Sequence, residues 1–510
     1  MNDPPMPVPR QDSWLVDPYR KRWVRVTMLV LAIPAVLALF LGVYLWQRFG
    51  GDRATEYADV EEHFKYGSTG GEHVSGLPYW IFQALPQVCA RHLPGKGYAS
   101  LGLIYEEGHD LPIGMSRRHH QGIDKTFLNC AVCHASTVRD APAAKPRVYL
   151  GMPAQQLDIM GFEKFLFACA KDEKFSADFV VPEARRLAQA NGQDLDLLDR
   201  YVVYPVAVAL MRDRLLMLAG RFDFVYESPE WGRGRVDTFN AAKVLFNFPM
   251  HDLPPQEKNG PADFPSVWLQ GPRKGMQLHW DGNNTMVEER NKSAAFGTGT
   301  TPPTLDVAAV GRIETWLLTR EPPKYPYPID AAKAARGGVL YKEYCAGCHG
   351  ASGRDFSGEY VGKVTPLAEV GTDRRRLDSY SYDLAVNQST LYAGYPWRFA
   401  HFRKTFGYAN MPLDGIWLRG PFLHNGSVPT LRDLLEPAAK RPPEFYRGYD
   451  VYDPAKVGFV SNVPNEGDRR YFEYKTSVPG NSNAGHEGKR FGTELAPADK
   501  DALVEFLKTF

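Results

Sequence analysis

The sequence predicts a mainly α-helical protein in which one membrane-spanning helix precedes two lobes of helices and long ordered loops. Three observations carry that expectation. An uncharged run fills Val26–Trp46. The frame Cys-x-x-Cys-His occurs twice, at Cys130–His134 and Cys345–His349. A proline-rich strap, Glu321–Pro328, lies between the two frames.

The apolar run is the first element. As a helix it reaches about 30 Å, the thickness of a bilayer core. Arg20, Lys21, Arg22 and Arg25 precede it, while Arg48, Asp52, Arg53 and Glu56 follow with mixed sign. That asymmetry predicts a cytoplasmic N-terminus, with the remaining chain on the periplasmic side of an inner membrane. A cleaved signal peptide is the rival reading. The run is long for one, and no small-x-small cleavage site follows it. The division expected is a cytoplasmic tail at 1–23, an anchor at 24–47 and a tether at 48–74.

Composition bounds the rest. The 510 residues are 44% hydrophobic and 23% charged, ordinary values for a globular chain of two or three domains. A formal net charge of +1 lacks the basic excess of a nucleic-acid binder, so no such partner is expected. The 46 glycines, 40 prolines and 13% aromatic content fit ordered loops around a large apolar body.

Helical patterns occur at Phe162–Cys169 and Leu195–Phe222. Leu305–Leu318 reads as an amphipathic helix with Leu305, Ala309, Ile313, Trp316 and Leu317 on a face. The strap Glu321–Pro328 is stiff and polyproline-like, which places a domain boundary at 325. The lobes are thus 75–325 and 326–510. The second opens with a helix at Ala331–Tyr344 and closes with one at Pro497–Phe510, where Leu503, Phe506 and Leu507 form an apolar face.

The repeated frame carries the chemistry. Cys130, Cys133 and His134, and again Cys345, Cys348 and His349, have the spacing of covalent haem attachment. Two thiols three positions apart can add to the two vinyl groups of one porphyrin, and the adjacent histidine reaches the iron. Zinc is excluded because each frame offers three adjacent groups that cannot wrap one ion tetrahedrally. The cofactors expected are two covalently bound haem c groups. Cys89 and Cys169 remain, either as a disulfide or, the favoured expectation, as two separate buried thiols.

Function then turns on each iron's sixth position. A histidine or methionine there makes an electron carrier, whereas an open position admits oxygen or peroxide. His486 ranks first for the second haem, because the small-residue loop Gly480–Glu487 can fold closely over a haem face. Met411 and His424 follow. His424 sits before Asn425-Gly426, which reads as a tight turn with the ring bonded to backbone.

Leu413–Trp417, Gly420–Leu431, Arg441–Phe445 and Asp453–Phe459, with Leu278–Asn284 and Glu289–Asn291, resemble the di-haem cytochrome c peroxidase superfamily. Within it they are most similar to the branch of rubber oxygenases and di-haem fatty-acid dioxygenases. The resemblance covers roughly residues 75–510. It implies that the haem on His134 is the active one. It also implies that the haem on His349 is six-coordinate, with His486 at the matching position. The methionine ligand of bacterial peroxidases is replaced here by Ala438, which favours the oxygenase-like branch. From the same stretches, Trp280 and Phe296 are expected at the distal pocket or between the haems, with plain core packing as the alternative. Arg233, Arg235 and Arg290 could bind haem propionates, or simply form surface ion pairs.

Two functions are expected in competition. One is a membrane-bound oxidoreductase using O2 on an unsaturated apolar small molecule, or using H2O2. The other is a tethered electron carrier serving a respiratory donor or acceptor. A first lobe of about 250 residues is large for a simple carrier. Peroxide reduction would want a carboxylate or histidine beside the active haem, and no residue in the sequence identifies itself for that task.

Overall fold

The structure, a computed structural model, describes Pro4 and residues 18–510, with side chains from Lys21 onward. The expected tail at 1–23 therefore lies largely outside the described residues. Helix α1 spans Pro18–Phe49, and its segment Lys21–Phe49 is long and apolar enough to cross a membrane. By length and composition it fits either a membrane anchor or a signal sequence. Pro34 lies inside it.

Residues 54–118 and 124–510 form one compact unit, and both Cys-x-x-Cys-His frames belong to it. Its first part contains α2 (Val60–Tyr66), α3 (Tyr79–Val88), α4 (Ile159–Lys171), α5 (Ala177–Ala190) and α6 (Tyr204–Arg221). Asp158 caps α4 by accepting from the Gly161 N–H at 2.8 Å. The segment expected as one helix from Leu195 instead begins with a π turn, Asp199–Val203, before α6. Cys89 and Cys169 are bonded to each other with Cα atoms 5.5 Å apart. The expectation of separate thiols is thereby corrected. The cause is tertiary: the turn that follows α3 packs against α4, bringing together cysteines that are 80 residues apart in the chain.

After a short α7 (Phe224–Glu227) come α8 (Thr238–Leu245), α9 (Val287–Gly297) and α10 (Val307–Thr319). In α10 the buried residues are Val310, Ile313 and Leu317, and Asp306 caps its start through Ala309. The proline-rich strap is not free: Tyr325 and Tyr327 pack on Trp417 and Tyr452, and Trp417 donates its indole N–H to the Pro323 carbonyl at 2.8 Å. Helix α11 (Ala331–Tyr344) leads into the single turn α12 (Ala346–His349) and lies along the closing helix Pro497–Leu507. Their approach requires glycine, because a Cβ at Gly337 would stand 1.9 Å from the Ala502 carbonyl oxygen.

Strands add more than a mainly α reading anticipates. They are short antiparallel pairs such as Ala135–Val138 with Arg147–Leu150, and Glu444–Arg447 with Phe472–Lys475. One hydrophobic core joins Trp268, Trp417, Tyr452 and Phe422 to Leu503 and Leu507 of the closing helix.

Candidate functional site

The first frame sits on a single 3-10 turn, Cys130–Val132. Asn129 builds it. Its Oδ1 accepts from the Ala131 N–H, and its amide donates to the carbonyls of Lys65 and Gly67 at the end of α2. His134 donates from Nδ1 to the Pro265 carbonyl at 2.9 Å. That bond leaves Nε2 as the free lone pair, the tautomer a metal requires. Burial, with Arg290 nearby, pushes the imidazole down to about 3, so it is neutral at physiological pH.

The second frame repeats the arrangement on helix α12. His349 donates from Nδ1 to the Met411 carbonyl at 2.8 Å, and burial again lowers its pKa. The Met411 backbone thus lies on the Nδ1 side of the ring. The ring of His486 faces that of His349, with centroids 6.1 Å apart and planes at 48°. Two imidazoles that share one metal ion, each bonded at about 2 Å, place their centres about 6 Å apart. His486 has a left-handed backbone, φ 48°, which a non-glycine residue adopts when the surroundings impose it. Arg441 imposes it by donating to the carbonyls of Gly485 and His486. Burial first, then His349 and Arg441, push His486 down to about 3.

His424 is engaged elsewhere. Its ring stacks on Tyr408 at 4.0 Å, and Nε2 lies 3.0 Å from the Tyr408 hydroxyl. That hydroxyl gives its proton to the Asp373 carbonyl, so His424 is the donor. The ring is bonded to a side chain and not to backbone, because the turn at Asn425-Gly426 points it inward against Tyr408.

Each frame opens on an apolar cavity. One, of about 270 Å³, is lined by Cys345, Cys348, His349 and His486; the other, of about 290 Å³, by Cys130, Cys133, His134 and Phe296. Phe264, Pro265, His279, Trp280 and Arg290 line both. Trp280 is pinned in that shared wall by its indole N–H, which donates to the Asp263 carbonyl at 2.8 Å. Phe296, on α9, stacks on Phe246 at 5.4 Å.

Of the three arginines singled out in the sequence, Arg290 faces the cavities. Its guanidinium makes no hydrogen bond or ion pair among the described residues, and burial with nearby Arg273 lowers it to about 10. Arg233 is engaged in the scaffold, whereas Arg235 lines neither cavity and keeps Nε and Nη2 buried without a hydrogen-bond partner among the described residues. Arg233 donates to the carbonyls of Gln156, Ser100 and Arg470, and Arg235 to the Asn481 side chain. Neither is a surface ion pair, because both lie buried against loop carbonyls and amides.

Sequence reasoning missed two residues. Glu163 lines the His134 cavity, its Oε2 is buried without a hydrogen-bond partner, and burial raises it to about 8. The signal was present: Glu163 is an acid within the apolar start of α4, one helical turn from Ile159, which lines the same cavity. His279, inside the Leu278–Asn284 stretch, bonds Asn283 and is pushed down to about 3 by burial and by Arg290.

The residues present fit covalent haem. Each cavity holds paired thiols and a neutral imidazole, and Arg290 offers an unpaired cation suited to a propionate. Neither frame belongs to a group of three or more donor atoms within 4.8 Å of one another among the described residues, so neither converges on a zinc ion.

Residues 407–447 match the family described as RoxA-like, cytochrome c-like. This segment holds Met411 and His424 and supports haem c as the cofactor class. The chain is similar to the uncharacterized protein y4iM of Sinorhizobium fredii, at 33% identity over 49% of this chain and 64% of the relative. It is also similar to the uncharacterized protein y4iJ of that organism, at 28% identity over 56% of this chain and 61% of the relative. The chain thus spans less than two thirds of either relative's length.

Proposed function

We propose that this chain is a membrane-anchored, periplasmic di-haem c-type cytochrome and an oxidoreductase. Haem held at His134 would supply activation of O2 or peroxide, and haem held at His349 would supply electron relay to or from a respiratory partner. The observation that carries the reading is an asymmetry. His349 is faced by the ring of His486, while no described histidine ring is paired with His134 in that way.

Haem held at these frames supplies iron redox chemistry, and reaction with O2 or peroxide where the iron keeps an open position. The chain's own residues do the rest. Cys130, Cys133, Cys345 and Cys348 tether the two groups, and His134 and His349 present neutral Nε2 atoms held by backbone carbonyls. His486 closes the second site. Arg290 neutralises carboxylates from either cavity. Glu163 holds a proton at the buried carboxyl that it can exchange with a bound reactant. Phe296, Phe239 and Ile313 exclude water from the His134 cavity and suit an unsaturated apolar substrate. Trp280 offers a π system in the wall between the two sites.

Mass spectrometry of the denatured protein should find two haems on one polypeptide, with colour that survives acid-acetone extraction. EPR should then show one low-spin centre and one that changes on adding O2 to the reduced protein, or peroxide. A single haem defeats the di-haem reading. Two low-spin centres that bind neither cyanide nor O2 leave only the tethered electron carrier.

A further inference from the structure

Helix α6 is apolar on its inner side and, apart from Asp213, along much of its outer side too. One face, Tyr204, Val208, Met211, Leu215 and Ala219, is buried against α4 and α5. At about 100° per residue the opposite face carries Val206, Leu210, Leu216 and Met217, and exposed Val202 lies in the π turn just before them. These side chains stand in solvent; Leu210 is 65% and Met217 55% exposed. Tyr201 at the N-terminal end is 75% exposed. A surface helix normally carries polar residues on its outer side, so an aliphatic stripe there marks a missing neighbour.

The stripe runs about 22 Å, and at about 10 Å width it covers on the order of 200 Å². A stable protein–protein contact buries about 800 Å² per partner, so a second copy of this chain would find too little here. Charge points to a different neighbour. Arg212 and Arg214 flank the stripe on its two sides. Arg212 reaches the Ala170 carbonyl through Nε, and Arg214 makes no hydrogen bond or ion pair among the described residues. Neither cation is met by a carboxylate. The inference rests on the proposed reading of α1 as a retained anchor, which holds the chain at a membrane.

We propose that the outer face of α6 rests on a phospholipid bilayer, its aliphatic stripe at the acyl boundary and its two arginines at anionic headgroups. A patch this small suffices because lipid adapts to it and an attached membrane segment raises its local concentration. Tyr201 has the amphipathic ring that suits the interface. Asp213, on the midline of the stripe, opposes this placement and limits its depth.

The test uses the full chain, with haem attached, in vesicles of phosphatidylethanolamine and phosphatidylglycerol at three to one. Nitroxide labels are placed at Val206→Cys and Leu216→Cys, with Val339→Cys on α11 as an exposed control. Collision rates with O2 relative to a water-soluble nickel complex report depth. The ratio should be several-fold higher at 206 and 216 than at 339. Asp213→Asn should raise it further, and the pair Arg212→Glu and Arg214→Glu should lower it. Equal ratios at all three positions overturn the proposal. So does a label at 206 that is shielded only as protein density rises and is released by Asp213→Asn, because that behaviour belongs to pairing between two copies.

Discussion

His486 and His349 face each other across 6.1 Å between ring centres, inside one apolar cavity, and both imidazoles are neutral. The separation is what two ligands of one ion require. It is set by elements 137 residues apart in the chain: the turn after α11 holds one ring, and a glycine-rich loop pinned by Arg441 holds the other. Replacing His486 with Ala should turn one haem from low-spin to high-spin in the EPR spectrum while both haems stay attached. An unchanged low-spin signal would assign the sixth position to another residue.

Glu163→Gln tests the proton role. The variant keeps volume and polarity, so haem content should hold while turnover with peroxide or O2 falls by about 10²–10⁴-fold. The loss should be accompanied by disappearance of an ionisation near pH 8 in the rate profile. Stability carries a second signature. Burial raises the folded pKa to about 8, from the ordinary glutamate value of 4.5. The folded state then binds more protons than the unfolded state across that window. Stability from this group is full below about pH 4.5 and is lost as pH rises towards 8. Denaturant titrations of the Gln variant should lack that slope.

Trp280 is anchored at the wall common to both cavities, so its replacement should act on transfer between the haems more than on their attachment. Trp280→Phe keeps an aromatic ring but gives up the bond to the Asp263 carbonyl. Trp280→Ala removes the ring. Rapid-mixing reduction should show transfer from the His349 haem to the His134 haem slowed at least about tenfold in the Ala variant, and less in the Phe variant. Equal rates in all three proteins would make Trp280 a packing residue only.

The disulfide joins positions 80 residues apart. Cys89→Ser with Cys169→Ser should therefore cost about 2–5 kcal/mol, read as a lower unfolding midpoint at unchanged haem content. The effect belongs to the region of α3 and α4. The spectrum of the His349 haem should stay as it is.

Packing between the first and last helices of the second half sets a fifth expectation. Gly337→Val places a side chain against the Ala502 carbonyl, where no space exists. Overpacking of this kind costs about 1–3 kcal/mol, and thermal unfolding should report it. Gly347→Ala, where a Cβ meets nothing, is the control and should leave the midpoint within about 0.5 kcal/mol of the parent.

The sequence by itself determined the local facts. The spacing of Cys130, Cys133 and His134, and of their second set, needs no fold to be read, because the pattern is a chemical requirement within five residues. The apolar span, α11 and the start of the closing helix were legible for the same reason: their signals are periodic and contiguous. Tertiary structure decided what lies across a cavity. Met411 and His424 ranked behind His486 as ligands in the sequence, and the fold bonds the Met411 carbonyl to His349 Nδ1 and stacks His424 on Tyr408. Glu163 is set apart from a solvated helix acid by its burial in the His134 cavity. Cys89 and Cys169 carry no mark of pairing, since their meeting depends on how α3 and α4 pack. Ligation, proton holding and disulfide formation all depend on distances of a few ångströms between distant segments, and those distances are properties of the folded chain.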